Sequence, residues 1–110
     1  MSTRDFSSQQ ERRIAKTFNG KVVANSGATR FNKGDVIVDN ILIECKTTVS
    51  PKDSFSIKKE WLRKNKEEAF EMGLNYSILT FDFGSGEDYF VIDKKLMQKL
   101  VEVLREKEEQ

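Results

Sequence analysis

Residues Gly34–Lys46, GDVIVDNILIECK, decide how this chain folds. Two apolar runs, Val36-Ile37-Val38 and Ile41-Leu42-Ile43, flank the pair Asp39-Asn40. Two residues that tolerate positive φ, set between β-branched runs, predict a tight hairpin. Its strands are expected over about Asp35–Val38 and Ile41–Thr47. Closing the turn on Asp39-Asn40 pairs Val38 with Ile41, Ile37 with Leu42, Val36 with Ile43, and Asp35 with Glu44. Val36, Val38, Ile41, Ile43 and Cys45 then form one continuous apolar face, which is the natural seat of the core.

The other face carries the chemistry. Carboxylates directly opposite one another sit with Cβ atoms roughly 4.5–5.5 Å apart, and like charges there weaken a hairpin. A divalent cation held between Asp35 and Glu44 would reverse that penalty, because hard cations take carboxylate oxygens at short range. Strand alternation adds Lys46 to the same face. Two acids, a cation and an ammonium are the parts that phosphodiester hydrolysis requires: a metal to polarise the phosphoryl group and acidify water, and a positive charge to orient that water or stabilise the transition state. The plainer alternative is an exposed strand end with a Glu44–Lys46 salt bridge.

Working outward, Ser8 and Glu11 have capping-box spacing, so a helix is expected from about Ser8 to Phe18, with Gly20 beyond its end. Glu11 then shares a face with Ile14, Ala15 and Phe18, an unusual place for an acid. Lys21–Ala24 reads as a short strand and Asn25–Gly34 as a polar loop. After Ser50-Pro51, a helix is expected from Phe55 to Met72, its stripe formed by Ile57, Trp61, Leu62, Ala69 and Met72. Tyr76–Phe83 and Tyr89–Ile92 read as strands joined by Gly84–Asp88. Asp93 caps a last helix that is expected to turn Leu96, Met97, Leu100 and Leu104 inward. The order is α-β-β-β-α-β-β-α. The expectation is a single α/β domain over residues 1–110, with a central mixed sheet flanked by helices and loose tails at 1–6 and 106–110.

Composition narrows the chemistry. About 37% of the 110 residues are apolar, with eight Phe and one Trp, which suits one packed domain. The chain has no His and one cysteine, Cys45. That excludes His-based triads, the usual zinc sites and an internal disulfide. Any metal must rest on oxygen, which favours Mg2+ or Mn2+. No run approaches a membrane span and no signal peptide opens the chain, so a cytoplasmic location is expected. The net charge of +1 conceals an asymmetry. Residues 12–66 hold thirteen Lys or Arg against five Asp or Glu, whereas residues 67–110 hold five against eleven. One basic face for a polyanion is a natural reading, and a solvated lysine-rich surface is the alternative.

Gly34-Asp35, followed nine residues later by Glu44-Cys45-Lys46 at the end of an apolar strand, resembles the signature of PD-(D/E)XK nucleases. With Glu11 on the first helix, Ser26-Gly27 in the loop and Thr47-Thr48 after the lysine, residues 8–73 are similar to the small archaeal-type and phage-type Holliday junction resolvases. The resemblance implies a restriction-endonuclease-like fold and a homodimer that cuts four-way DNA junctions symmetrically with Mg2+ or Mn2+. It makes Asp35 and Glu44 metal ligands, Glu11 a metal-site residue and Lys46 the catalytic lysine. Gly34 stands where the signature has Pro, a mild departure at the entry to the strand. Ser26 and Arg30 fall in the loop that contacts phosphate in those enzymes, although a polar loop has this composition by default.

Lys21, Arg30, Lys33, Lys52, Lys58, Lys59, Arg63, Lys64 and Lys66 are placed in sequence to surround such a site and hold phosphates without reading bases. For Lys58 and Lys59 a solvated helix face is the competing account. No reader module for base sequence is present, so a branched DNA recognised by shape is the expected substrate. Two alternatives stand beside it: another PD-(D/E)XK endonuclease of repair or restriction type, and a catalytically silent nucleic-acid-binding domain. Phe31, Phe55, Phe83 and Phe90 are candidates for either an interface or the core.

Overall fold

In a computed structural model, residues 3–23 and 35–109 are described. Ser26, Arg30, Phe31, Lys33 and the expected polar loop lie outside them. The hairpin is the centre of the fold. Strand β2 (Asp35–Val38) and strand β3 (Ile41–Lys46) pair in the register read from the sequence, Asp35 opposite Glu44 and Val38 opposite Ile41. Asp39 takes a φ of 51° to close the turn.

Around it, β1 (Lys21–Val22) pairs antiparallel with β2. Strand β4 (Tyr76–Phe81) runs parallel to β3, and β5 (Tyr89–Val91) returns antiparallel to β4. The result is a five-stranded mixed sheet in the order β1-β2-β3-β4-β5. Helix α1 (Thr3–Phe18) precedes β1, α2 (Lys59–Glu71) connects β3 to β4, and α3 (Lys94–Glu108) closes the described chain. The described residues therefore form a small α/β domain. None of their helices is long and apolar enough to cross a membrane.

The sheet is covered on both faces, and that positions the site. On one, Ile14 of α1 packs into a cluster of Val36, Val38, Ile43 and Cys45, with Ala15, Ile41 and Ile78 against its rim. This is the apolar face expected of the hairpin. Gly20 is where the chain leaves α1 and passes under β2: a Cβ there would stand 2.7 Å from the Ile37 carbonyl oxygen. On the other face lies α2. Its Asn65 donates to the carbonyl oxygens of Leu42 (3.4 Å) and Ile78 (3.1 Å), tying the helix across β3 and β4 above Leu42 and Leu79.

Several boundaries differ from the sequence reading. Helix α1 begins at Thr3 rather than Ser8, so part of the expected N-terminal tail is helical and the capping-box serine sits within the helix. No Gly or Pro in Thr3–Phe18 stops the helix earlier. Helix α2 starts at Lys59, not Phe55, because the Phe55 ring stacks on Phe81 at 5.0 Å and holds residues before the helix in irregular backbone. Strand β4 ends at Phe81 because the Asp82 carboxylate turns the chain, accepting from the backbone N–H of Gly84.

The last helix departs most. Asp93 caps it as expected, accepting from the Leu96 N–H at 2.8 Å. Yet only Leu96 is buried, while Met97, Leu100 and Leu104 are exposed. Helix α3 follows the edge strand β5, where no other described element packs along its length. It also continues through Glu108, into residues expected to be loose.

Candidate active site

The hairpin register places Asp35 and Glu44 side by side at the end of the sheet that Lys46 also occupies. Asp35 is 1% exposed and Glu44 7%. Neither carboxylate oxygen of Asp35, nor Oε2 of Glu44, has a hydrogen-bond partner among the described residues. Buried acceptors left unsatisfied cost roughly 1–3 kcal/mol each, and more when charged. The other Glu44 oxygen lies 3.5 Å from Lys46 Nζ. That ammonium in turn stands 4.5 Å from the centroid of the Trp61 ring, so α2 fixes the lysine from above.

Two more buried acids act on Asp35 through their charge from opposite layers. Glu11 of α1 is 7% exposed and Glu68 of α2 is 6% exposed. Burial, followed by the charges of Glu44, Glu68 and Glu11, pushes the Asp35 carboxyl up to about 7, with Lys46 acting in the opposite sense. Burial also raises Glu44, partly countered by Lys46 and Lys64. The arrangement stores like charge that a cation or a proton would relieve. Among the described residues, no group of three or more His, Cys, Asp or Glu converges to hold an ion. The donors best disposed to a hard cation are therefore the unpartnered oxygens of Asp35 and Glu44. Mg2+ commonly takes only one or two carboxylates and completes its shell with water and phosphate oxygens.

A partly buried network braces the lysine strand. Gln10, fully buried on α1, donates from Nε2 to the Lys46 carbonyl oxygen (2.9 Å) and to Asp88 Oδ1 (3.3 Å). Arg13, one turn further, holds Asp88 with two bonds of 2.6 and 2.8 Å and Asp82 with one of 3.0 Å. Thr47 donates to Asp82 Oδ1 at 2.9 Å. Helix α1 is thereby bonded to the last residue of β3, to Asp82 just after β4 and to Asp88 in the loop before β5.

The basic candidates separate into groups. Lys58 lies 5.6 Å from the Trp61 centroid, on the ring that also contacts Lys46, and Lys64 acts on Glu44. Of the two, Lys64 acts on a carboxylate of the site directly, and Lys58 reaches it only through the shared Trp61 ring. Lys59 and Arg63 instead line a cleft of about 300 Å3 bordered by α2, β4 and β5. The Arg63 guanidinium is bridged to Glu60 and Glu67 on the exposed side of α2. Lys52 is exposed in the segment before α2, its N–H donating to the Phe83 carbonyl oxygen at 2.8 Å.

Glu68, Gln10 and Arg13 are absent from the sequence-based set. Glu68 had a signal: it lies seven residues after Trp61 and four before Met72, an acid within an apolar stripe, the same anomaly that marked Glu11. The Gln10–Arg13 network had none, because its partners lie 36 to 78 residues away in the chain. Among known proteins, no family model, curated sequence or solved structure matches the chain.

Proposed function

We propose that the chain is a metal-dependent DNA endonuclease of restriction-endonuclease-like fold, acting on branched DNA such as a four-way junction. The observation that carries this reading is a buried Asp35 with two unpartnered carboxylate oxygens, directly opposite Glu44 and beside Lys46. A buried carboxylate pair that leaves three oxygens unpartnered beside one ammonium resembles a site awaiting a cation and an anionic substrate.

In this reading Asp35 and Glu44 hold Mg2+ or Mn2+, and Glu11 holds water around it. The ion supplies Lewis acidity at the phosphoryl oxygen and a bound water of lowered pKa. Lys46, poised between Glu44 and Trp61, exchanges its carboxylate partner for the attacking water or a phosphate oxygen and stabilises the charge that develops there. Gln10 holds the Lys46 backbone so that the ammonium stays in reach. Lys58 and Lys64 attract the DNA backbone, with Lys52, Lys59 and Arg63 further out, and a second copy of the chain would supply the matching cut.

Cleavage of a labelled four-way junction, beside linear and single-stranded DNA of matched sequence, tests the proposal. Wild type and Asp35→Asn are compared in Mg2+ and in EDTA. Paired nicks on the junction, lost in EDTA and in the variant, are the expected result. Equal cutting of linear duplex would keep the nuclease and discard the preference for junctions. Metal-independent binding without cutting would leave a silent nucleic-acid-binding domain.

A further inference from the structure

We infer that the rings beside Lys46 form a stacking platform for an unpaired DNA base, with Tyr89 as the ring that the base covers. Resting on the proposed DNA reading, this assigns the site a preferred form of substrate: a strand whose base stack is broken near the scissile phosphate. The sheet register sets the row out. Lys46 of β3 pairs with Phe81 of β4, and Phe81 pairs with Tyr89 of β5, so the ammonium and two rings stand side by side on the face that α2 covers. Phe81 stacks with Phe55 at 5.0 Å and with Tyr89 at 5.8 Å. Phe83 meets both Phe81 and Tyr89 edge-on, and Trp61 lies against Phe55. None of these five rings is fully buried, and Tyr89, on the last strand of the sheet, is 43% exposed.

The charges around the rings select the occupant. Exposed Lys58 lies 5.6 Å from the Trp61 centroid, and exposed Lys52 is tied through its N–H to the Phe83 carbonyl oxygen. Lys59 borders a cleft with Val91, which follows Tyr89 by two residues and so shares its face of the strand. Asp88, beside Tyr89 in the chain, is turned away to α1, where Arg13 holds it. Half-open rings interleaved with lysines are the parts that hold a single strand: cations follow the phosphates, and a ring accepts any base by its face. A paired base hides both faces in the duplex, so only a base freed from the stack can reach such a ring. Tyr89 stands two strand spacings from Lys46, roughly 9–10 Å. That is a few nucleotides of a backbone that rises about 3.4 Å per stacked base. A branch point supplies a freed base at that range, and stacking makes no demand on sequence.

The test reads binding without cutting. A labelled linear duplex, and the same duplex with a single-stranded extension, are titrated with the full chain in EDTA and followed by fluorescence anisotropy. Wild type should bind the extended probe more tightly. Tyr89→Ala should weaken that probe about tenfold and leave the duplex nearly unchanged, whereas Tyr89→Phe should match wild type. Tyr89→Leu, which keeps apolar bulk beside Phe81 but offers no ring face, should behave like Tyr89→Ala. With 5-iodouracil in the extension, irradiation should crosslink the strand to Tyr89, as mapped by mass spectrometry. Full affinity in Tyr89→Leu, an equal loss on both probes, or a crosslink outside the ring cluster would overturn the inference. Cleavage that proceeds with no dependence on Tyr89 would sink this inference alone. Base stacking on Tyr89 without metal-dependent cutting would keep it and remove the nuclease, and a wild type that bound neither probe would remove both.

Discussion

Replacing Asp35 by Asn should stabilise this protein in the absence of metal, even though it removes a residue at the centre of the candidate site. The carboxyl is raised from 3.8 to about 7 by burial and by three neighbouring acids. At about 1.4 kcal/mol for each tenfold change, ionising it in the fold costs roughly 4 kcal/mol relative to the unfolded chain. That is a large share of the ~5–15 kcal/mol that holds a domain of this size together. The sign follows from the direction of the change. A carboxyl raised in the folded state favours the protonated form, so its contribution is complete below about pH 4 and is lost as pH rises through 7. Asn mimics the protonated acid at every pH. In urea denaturation at pH 8 with EDTA, Asp35→Asn should exceed wild type by a few kcal/mol, and the gap should close as pH falls towards 4. Adding Mg2+ at pH 8 should stabilise wild type and leave the variant unchanged. A variant less stable than wild type at pH 8 in EDTA would refute the reasoning, because Asp35 would then be satisfied by something other than a cation or proton.

Lys46→Met should reduce metal-dependent cleavage by about 10²–10³ while Mg2+ still raises the thermal midpoint, since the lysine acts on charge in the transition state and not on the ion; single-turnover rates beside thermal melts separate the two effects. Gln10→Leu leaves the Lys46 carbonyl oxygen without its side-chain donor and should cost about 1–3 kcal/mol in chemical denaturation. Arg13→Met takes the cation from Asp82, which is 3% exposed, and from Asp88, leaving them only neutral donors, and should cost about 3 kcal/mol; adding Asp82→Asn should recover part of that in a double-mutant cycle. Glu68→Gln removes one of the charges that raise Asp35, so the pH at which metal-free wild type loses stability should move downward in the variant.

The hairpin was legible because everything that specifies it is local. Alternating apolar residues, a turn pair that accepts positive φ and equal arms fix which side chains meet, and Asp35 meets Glu44 in the expected register. The class of fold follows from the succession of strand and helix patterns around that hairpin. Glu11 stood out because an acid on an apolar face needs a reason. Glu68 carries the same mark, but it is masked by a helix pattern dominated by Trp61, Ala69 and Met72. The bracing of Lys46 by Gln10 was beyond local reading, since nothing near Gln10 in the chain says that β3 will end beside it. Helix α3 shows the opposite limit. Its periodicity reveals an apolar face, but whether that face turns inward depends on what else packs there, and little of the described domain packs along α3.

Cys45 gives the sheet an internal clock. Its thiol lies in the core beneath α1, between Glu44 and Lys46, 7% exposed, and burial among acidic neighbours holds it in the unreactive protonated form. As the chain's single cysteine, it can be alkylated when helix and sheet part, so the labelling rate measures how often this layer opens. Ligands that neutralise Asp35 and Glu44 on the other face of the same strand pair should slow that clock, reporting occupancy of the site without any need for turnover.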